Sequence, residues 1–467
     1  MKGRLVGRKY FFLRGQSALE IIIAMAIIVI SISTVILVIF TNQSVSVSSD
    51  LSNSALYKAE EQIENARAVA RGNFNSLNST SSIDGMFTKE LIVSKVSTYQ
   101  KKVTSRISWQ TDVLHPQKIE LVTYVTDWLN VPPPGSNCSA DPLSGNWAQP
   151  RILGSGDIGS VGSGNQGTGV AVAFPYAYVS GVASSASKPD IFVFDVSNST
   201  APSLVSSLDI GSGGINSIFL KGNYLYAASP NDNKELIIFD ISIPTNIREI
   251  GSLNLSGSYD GLSVIAFGNT VALGRAGNSG KELYFINITS PSSPSIISSY
   301  EVGDNVNGFA LSNKYLYLVS KDADNDLWVF DITNPSSPSL VSTYNIRDGT
   351  EDITVGYQPP GTLFVGNLDN KIVPLDVSDP LNISTYSSFS TGGSVKGLFC
   401  VVDNLTFMAT TNSTKEFMIL NTANPRMISE YASLNFPQVA SGIAFKNNLA
   451  YLSMRSNDAL KIISSSP

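Results

Sequence analysis

Seven acidic residues, Asp157, Asp209, Asp260, Asp304, Asp348, Glu351 and Asp352, fall in short loops along the C-terminal two thirds of the chain. Gathered at one mouth of a closed fold, they would concentrate negative potential and suit a cation, a basic group or a sugar. The alternating carboxylates Asp322, Asp324 and Asp326 make a second candidate, a Ca2+ loop, although Leu327 stands where an EF-hand has Gly and Thr333 where it has Glu. The one histidine, His115, sits in the turn Leu114-His115-Pro116-Gln117 with no nucleophile or carboxylate pair spaced around it. Gly154-x-Gly156-x-x-Gly159 and Gly162-x-Gly164-x-x-Gly167 match a dinucleotide pattern. Both lie in a Gly/Ser-rich loop that leads into a strand, not on the strand-to-helix turn that phosphate binding needs. No hydrolase or lyase set emerges. These residues point to binding, and the chain is expected not to be an enzyme.

Composition narrows the field. The chain has 467 residues, 43% hydrophobic and only 15% charged, below the ~25% usual for soluble domains. That length suggests roughly two to four domains. A net charge of −6 lacks the basic footprint of a nucleic-acid partner. Two distant cysteines, Cys138 and Cys400, cannot form a disulfide framework.

Residues 1–14 carry Lys2, Arg4, Arg8, Lys9 and Arg14, and the run from Ser17 to Phe40 is almost wholly apolar except for Glu20. Twenty-four residues at about 1.5 Å each would span a bilayer, with the basic flank cytoplasmic and the rest outside. An unpaired carboxylate in such a run costs several kcal/mol, which marks Glu20 as functional. The stretch Gly15-Gln16-Ser17-Ala18-Leu19-Glu20 resembles the class III leader of type IV pilins and pseudopilins. The resemblance implies that a prepilin peptidase cuts between Gly15 and Gln16. It also implies that Glu20, fifth in the processed chain, pairs with the N-terminal amine of a neighbouring subunit. Gln16 stands where the family carries Phe. Beyond it, Leu51, Ala55, Ala59, Ile63, Ala66 and Ala70 recur at helical spacing up to a stop at Gly72. Three strand-like runs follow at Leu91–Val96, Val103–Trp109 and Ile119–Val125. This plan resembles PilV-like minor pilins.

Val131-Pro132-Pro133-Pro134-Gly135-Ser136 reads as a stiff spacer. After it the chain repeats. The strand Ile191-Phe192-Val193-Phe194-Asp195 returns with anchors at Asp240, Asn287, Asp331, Asp376, Asn421 and Ser464, spaced 45, 47, 44, 45, 45 and 43 residues. Four short strands per repeat are the pattern of a β-propeller blade. The last copy lacks its outer strand, and Trp147–Ser155 carries the missing text, with Pro150 aligned to Pro202. The anchor Asp and Asn residues precede Pro turns and are expected to cap turn amides. Period and strand text resemble the LVIVD repeat.

The expected fold is therefore mainly β. It comprises a leader (1–15), a pilin-like domain (16–130) with a transmembrane helix over 16–71 and a small antiparallel sheet, and a Pro-rich linker (131–146). A seven-bladed propeller (147–467) follows, closed by an N-terminal outer strand. The expected placement is single-pass in the inner membrane with the C-terminal domain extracytoplasmic, then pilus or surface after assembly. The resemblances imply a minor-pilin-like protein displaying its propeller as an adhesin or ligand-binding head. Its partners would be the prepilin peptidase, other pilin subunits and an extracellular protein or glycan. A pseudopilin of a type II secretion or DNA-uptake apparatus is the first alternative. A membrane-tethered enzyme is the second.

Overall fold

The fold is that of a computed structural model describing the backbone of residues 14–467 except 98–99, 111–115, 127–137, 140–142, 163, 183–184, 186, 212, 278, 313, 323, 347–351, 359–360, 368 and 402–403. The expected leader, residues 1–15, lies almost wholly outside the described residues, as does most of the expected linker. The chain divides into two compact units, Met1–Lys95 with Lys101–Thr126, and Val96–Gln100 with Asp127–Pro467.

The first unit is built on one helix, α1 (Arg14–Gly72), 59 residues or roughly 88 Å at 1.5 Å per residue. Its second half is amphipathic because Ala55, Ala59, Ile63 and Ala66 fall three or four residues apart, and all four are buried. They pack on a four-stranded sheet, β1 (Thr80–Asp84), β2 (Phe87–Ser97), β3 (Gln100–Gln110) and β4 (Pro116–Thr126), ordered as in the chain. Val103, Ile107 and Trp109 supply the facing core. The spacing of apolar residues announces β2 to β4. It misses β1, whose Thr80-Ser81-Ser82-Ile83-Asp84 stays exposed along most of its length and so carries no burial pattern.

The first half of α1 corrects the expected fold class. Among the described residues no helix is long and apolar enough to cross a membrane. This overturns the transmembrane helix and, with it, the single-pass inner-membrane placement and the localisation drawn from that. The described side chains of the apolar stretch run from Met25 to Val38. Ser31, Ser33 and Thr34 interrupt that stretch.

The second unit is a ring of seven sheets, here blades I to VII: residues 166–208, 217–253, 261–300, 306–344, 352–390, 395–434 and 440–466. Each sheet runs outward in chain order from an inner strand. The inner strands are Gln166–Ala173, Ser217–Lys221, Gly261–Phe267, Val306–Leu311, Asp352–Gln358, Val395–Val401 and Ala440–Lys446. Neighbouring inner strands touch all the way round, and that of blade VII returns to that of blade I. Each third strand, such as Ile191–Asp195 or Leu236–Asp240, is buried on both faces because blades stack face to face. This explains its unbroken apolar text. Seven separate apolar clusters fill the seven gaps between blades.

The ends are stitched at blade VII. Strand β5 (Cys138–Ser139) lies parallel on the end of the blade VI inner strand, with Cys138 opposite Cys400. Strand β6 (Asn146–Gly156) lies antiparallel on Leu460–Ser466 and becomes the fourth strand of blade VII. Trp147 of β6 is buried edge-on to Phe407, ring centroids 5.0 Å apart, and its Nε1 donates to Asn448 Oδ1 at 3.1 Å. Several hairpins between first and second strands turn on left-handed residues, among them Gly222 (φ +59°) in blade II and the pair Asn447 and Asn448 (φ +54° and +58°) in blade VII.

Candidate ligand-binding cavity

The inner strands enclose a cavity of about 560 Å³, to which all seven blades contribute. Small residues let the strands approach. A Cβ on Gly442 would stand 3.0 Å from Gly169 Cα, and one on Gly397 3.0 Å from Gly442 Cα. The wall is polar, with Ser217, Ser263, Asn305, Asn307 and Thr354 among its residues. Three cations, Lys321, Lys396 and Arg455, line it as well.

The loop acids expected to converge do something more local. Asp157 Oδ1 accepts from Gly159 N at 2.6 Å, Asp209 Oδ1 from Gly211 N at 2.7 Å, and Asp304 Oδ1 from Asn305 N at 2.7 Å. The Asp260 carbonyl accepts from Ala276 N at 2.8 Å. None of these four lines the cavity. Asp348 and Glu351 lie outside the described residues. Asp352 opens the inner strand of blade V, and its side chain is likewise outside them. In the candidate Ca2+ loop, Asp322 Oδ1 accepts from the amides of Asp324 and Asn325, both at 2.8 Å. Asp324 is exposed, while Asp326 is buried. Among the described residues no three His, Cys, Asp or Glu side chains come together to hold a metal ion. The backbone of Gly15, Gln16 and Glu20 is helical. Their side chains lie outside the described residues.

Two repeating polar series explain much of the ring's chemistry. The anchor residues cap their turns as their Pro contexts suggest: Asp195, Asp240, Asp331 and Asp376 accept through Oδ1 from the amide two residues on. Asn287 and Asn421 do the same. The hydrogen bond from Ser242 and the nearby Arg248 hold the Asp240 carboxyl down to about 2.

The second series escaped the reading of the sequence. Asp190, Glu235, Glu282, Asp326 and Glu416 each stand just ahead of a third strand and are buried. Each accepts from an amide twenty residues later: Ile210 at 3.1 Å, Leu255 at 2.8 Å, Val302 at 2.8 Å, Ile346 at 2.7 Å and Phe436 at 2.7 Å. Asp326 thus belongs to a structural series, and burial pushes its carboxyl up, as it does that of Glu235. In blade V the carbonyl of Asn370 takes the role, accepting from Thr391 N at 2.8 Å. The available signal was an acid before five of the seven apolar third strands, at spacings of 45, 47, 44 and then 90 residues.

A ring of seven four- or five-stranded sheets around a polar axial cavity defines a β-propeller-like protein. Residues 212–260 and 303–346 match the LVIVD repeat, spanning blade II with its flanking loops and blade IV. No curated protein is similar to the chain across its sequence. Among solved structures, the chain is similar to a catalytically inactive virginiamycin B lyase from Staphylococcus aureus with quinupristin. The identity is 13%, the TM-score 0.51, and the match covers 68% of this chain and 99% of that one. It is similar also to a chain of a mitotic checkpoint complex, at 13% identity and TM-score 0.51 over 70% of this chain and 96% of that one. At such identities the likeness is one of fold alone.

Proposed function

We propose that the chain is a pilin-like subunit that assembles through its N-terminal helix and carries the propeller as a ligand-binding head. The observation that supports this is the division of α1. Its second half is packed on its own sheet, whereas the large apolar side chains from Met25 to Val38 remain 47 to 67% exposed. Ser31 and Thr34 turn their hydroxyls onto their own helix at Ile27 O and Ile30 O, both at 2.7 Å. The stretch from Met25 to Val38 therefore presents an apolar surface, broken by Ser31, Ser33 and Thr34, which a cover of other apolar groups would relieve. In this reading the cover is the same half-helix of neighbouring subunits. Prepilin peptidase releases the chain between Gly15 and Gln16, and Glu20 meets the amine of the next subunit, two charges offsetting each other's burial. The propeller contributes binding rather than catalysis, its axial cavity offering hydroxyls, amides and cations. Electron microscopy of sheared filaments with antibody to the propeller tests the reading. Label on the filaments is expected. Label wholly apart from them would overturn it.

A further inference from the structure

We propose that the ring cavity binds an acidic sugar, its anionic group held at Arg455 with Lys321 and Lys396 close by; this rests on the propeller being a ligand-binding head. The repeat itself delivers two of these cations. Arg455 and Lys321 both follow directly on the second strand of their blades. Their amides donate to carbonyls just ahead of the inner strands, Val439 O at 3.0 Å and Asn305 O at 2.9 Å. The same backbone bond recurs at Thr411 in blade VI and Ala276 in blade III, so the position belongs to the fold and its charge to particular blades. Lys396 comes from the inner strand of blade VI.

Arg455 is exposed, and among the described residues its guanidinium makes no hydrogen bond or ion pair. Lys321 and Lys396 have interactions of their own within the protein and add positive charge to the same wall. The rim carboxylates of Asp157, Asp209 and Asp304 are turned onto amides of their own turns, and none lines the cavity. Among the described residues, the charged side chains that line the cavity are these three cations, in a chain that is acidic overall. A guanidinium suits a carboxylate because it offers two parallel donors.

The remaining wall favours a polyhydroxylated ligand over a flat or greasy one. Ser217 and Asn307 line it with side chains that have no partner among the described residues. The one aromatic in the wall, Phe309, is only 8% exposed, which leaves no ring face for stacking. A neutral sugar or a nucleobase would lack its usual platform. A volume of about 560 Å³ is that of a small-molecule site.

The test titrates the full chain by calorimetry with two probes: a hexasaccharide of alternating glucuronate and N-acetylglucosamine, and neutral chitohexaose. The acidic probe is expected to bind and the neutral one to bind at least about tenfold more weakly, with affinity falling as salt rises. Arg455→Gln should weaken the acidic probe about tenfold, and Arg455→Lys should recover much of it, both with unchanged melting. Equal binding of the two probes overturns the inference, as does no binding of the acidic probe or indifference to Arg455→Gln. Should a hexalysine peptide bind in its stead, the acidic-sugar assignment falls while the ligand-binding head stands. The head-on-filament reading fails separately, by absence from filaments.

Discussion

At the scale of single residues, the ring is held by carboxylates that look alike in the sequence and behave oppositely. Asp240 sits at an exposed turn, bound by Ser242 and Arg248, with its carboxyl held down to about 2. A folded-state value below the ordinary one, 3.8, means that the ionised form favours folding. That contribution is fully present above the unfolded value and is lost as pH falls from about 3.8 toward about 2. Asp240→Asn keeps a turn acceptor, as Asn287 and Asn421 show, but carries no charge. Wild type is therefore expected to exceed Asp240→Asn in urea midpoint at neutral pH, with the gap closing as pH reaches about 2. A gap independent of pH would contradict the assignment. The anchor series was legible because a Pro turn follows it. The buried series was not, because an acid beside Lys234, Lys281 or Lys415 reads as a solvated strand end. Nothing local in the sequence shows that an amide twenty residues away will close over it.

At the scale of elements, a 45-residue period reveals strands because each third strand is apolar on both faces, and the turns between them are written in Gly, Asn and Pro. Strand β1 shows the limit, since an exposed edge strand carries no such pattern. The axial cavity shows it too. Which loop side chains converge depends on where each carboxylate finds its nearest amide, and Asp157, Asp209 and Asp304 find theirs within two residues. The element on which the ring most depends is β6, because it covers the last open edge of blade VII. Trp147 fixes it among Phe407, Phe445 and Asn448. Trp147→Ala is expected to cost about 3–5 kcal/mol in thermal or urea unfolding, as large core truncations do. Hydrogen exchange should rise first in β6 and Leu460–Ser466. A small loss spread evenly over the blades would show that closure does not rest on this residue.

At the scale of the molecule, two units do different work. The ring supplies a concave polar site, and α1 supplies a stretch, Met25 to Val38, whose described large apolar side chains are exposed. In the proposed assembly this part of α1 packs into a filament, with Glu20 paired there to a neighbouring subunit's amine. A buried carboxylate without its counter-charge is costly, and removing it would remove the partner proposed for a neighbour's amine. The most direct measurement is the amount of chain recovered in sheared, sedimented filaments for wild type and for Glu20→Leu, at equal total protein. Wild type is expected in the filament fraction and Glu20→Leu largely missing from it. Equal recovery of the two would contradict the proposed assembly.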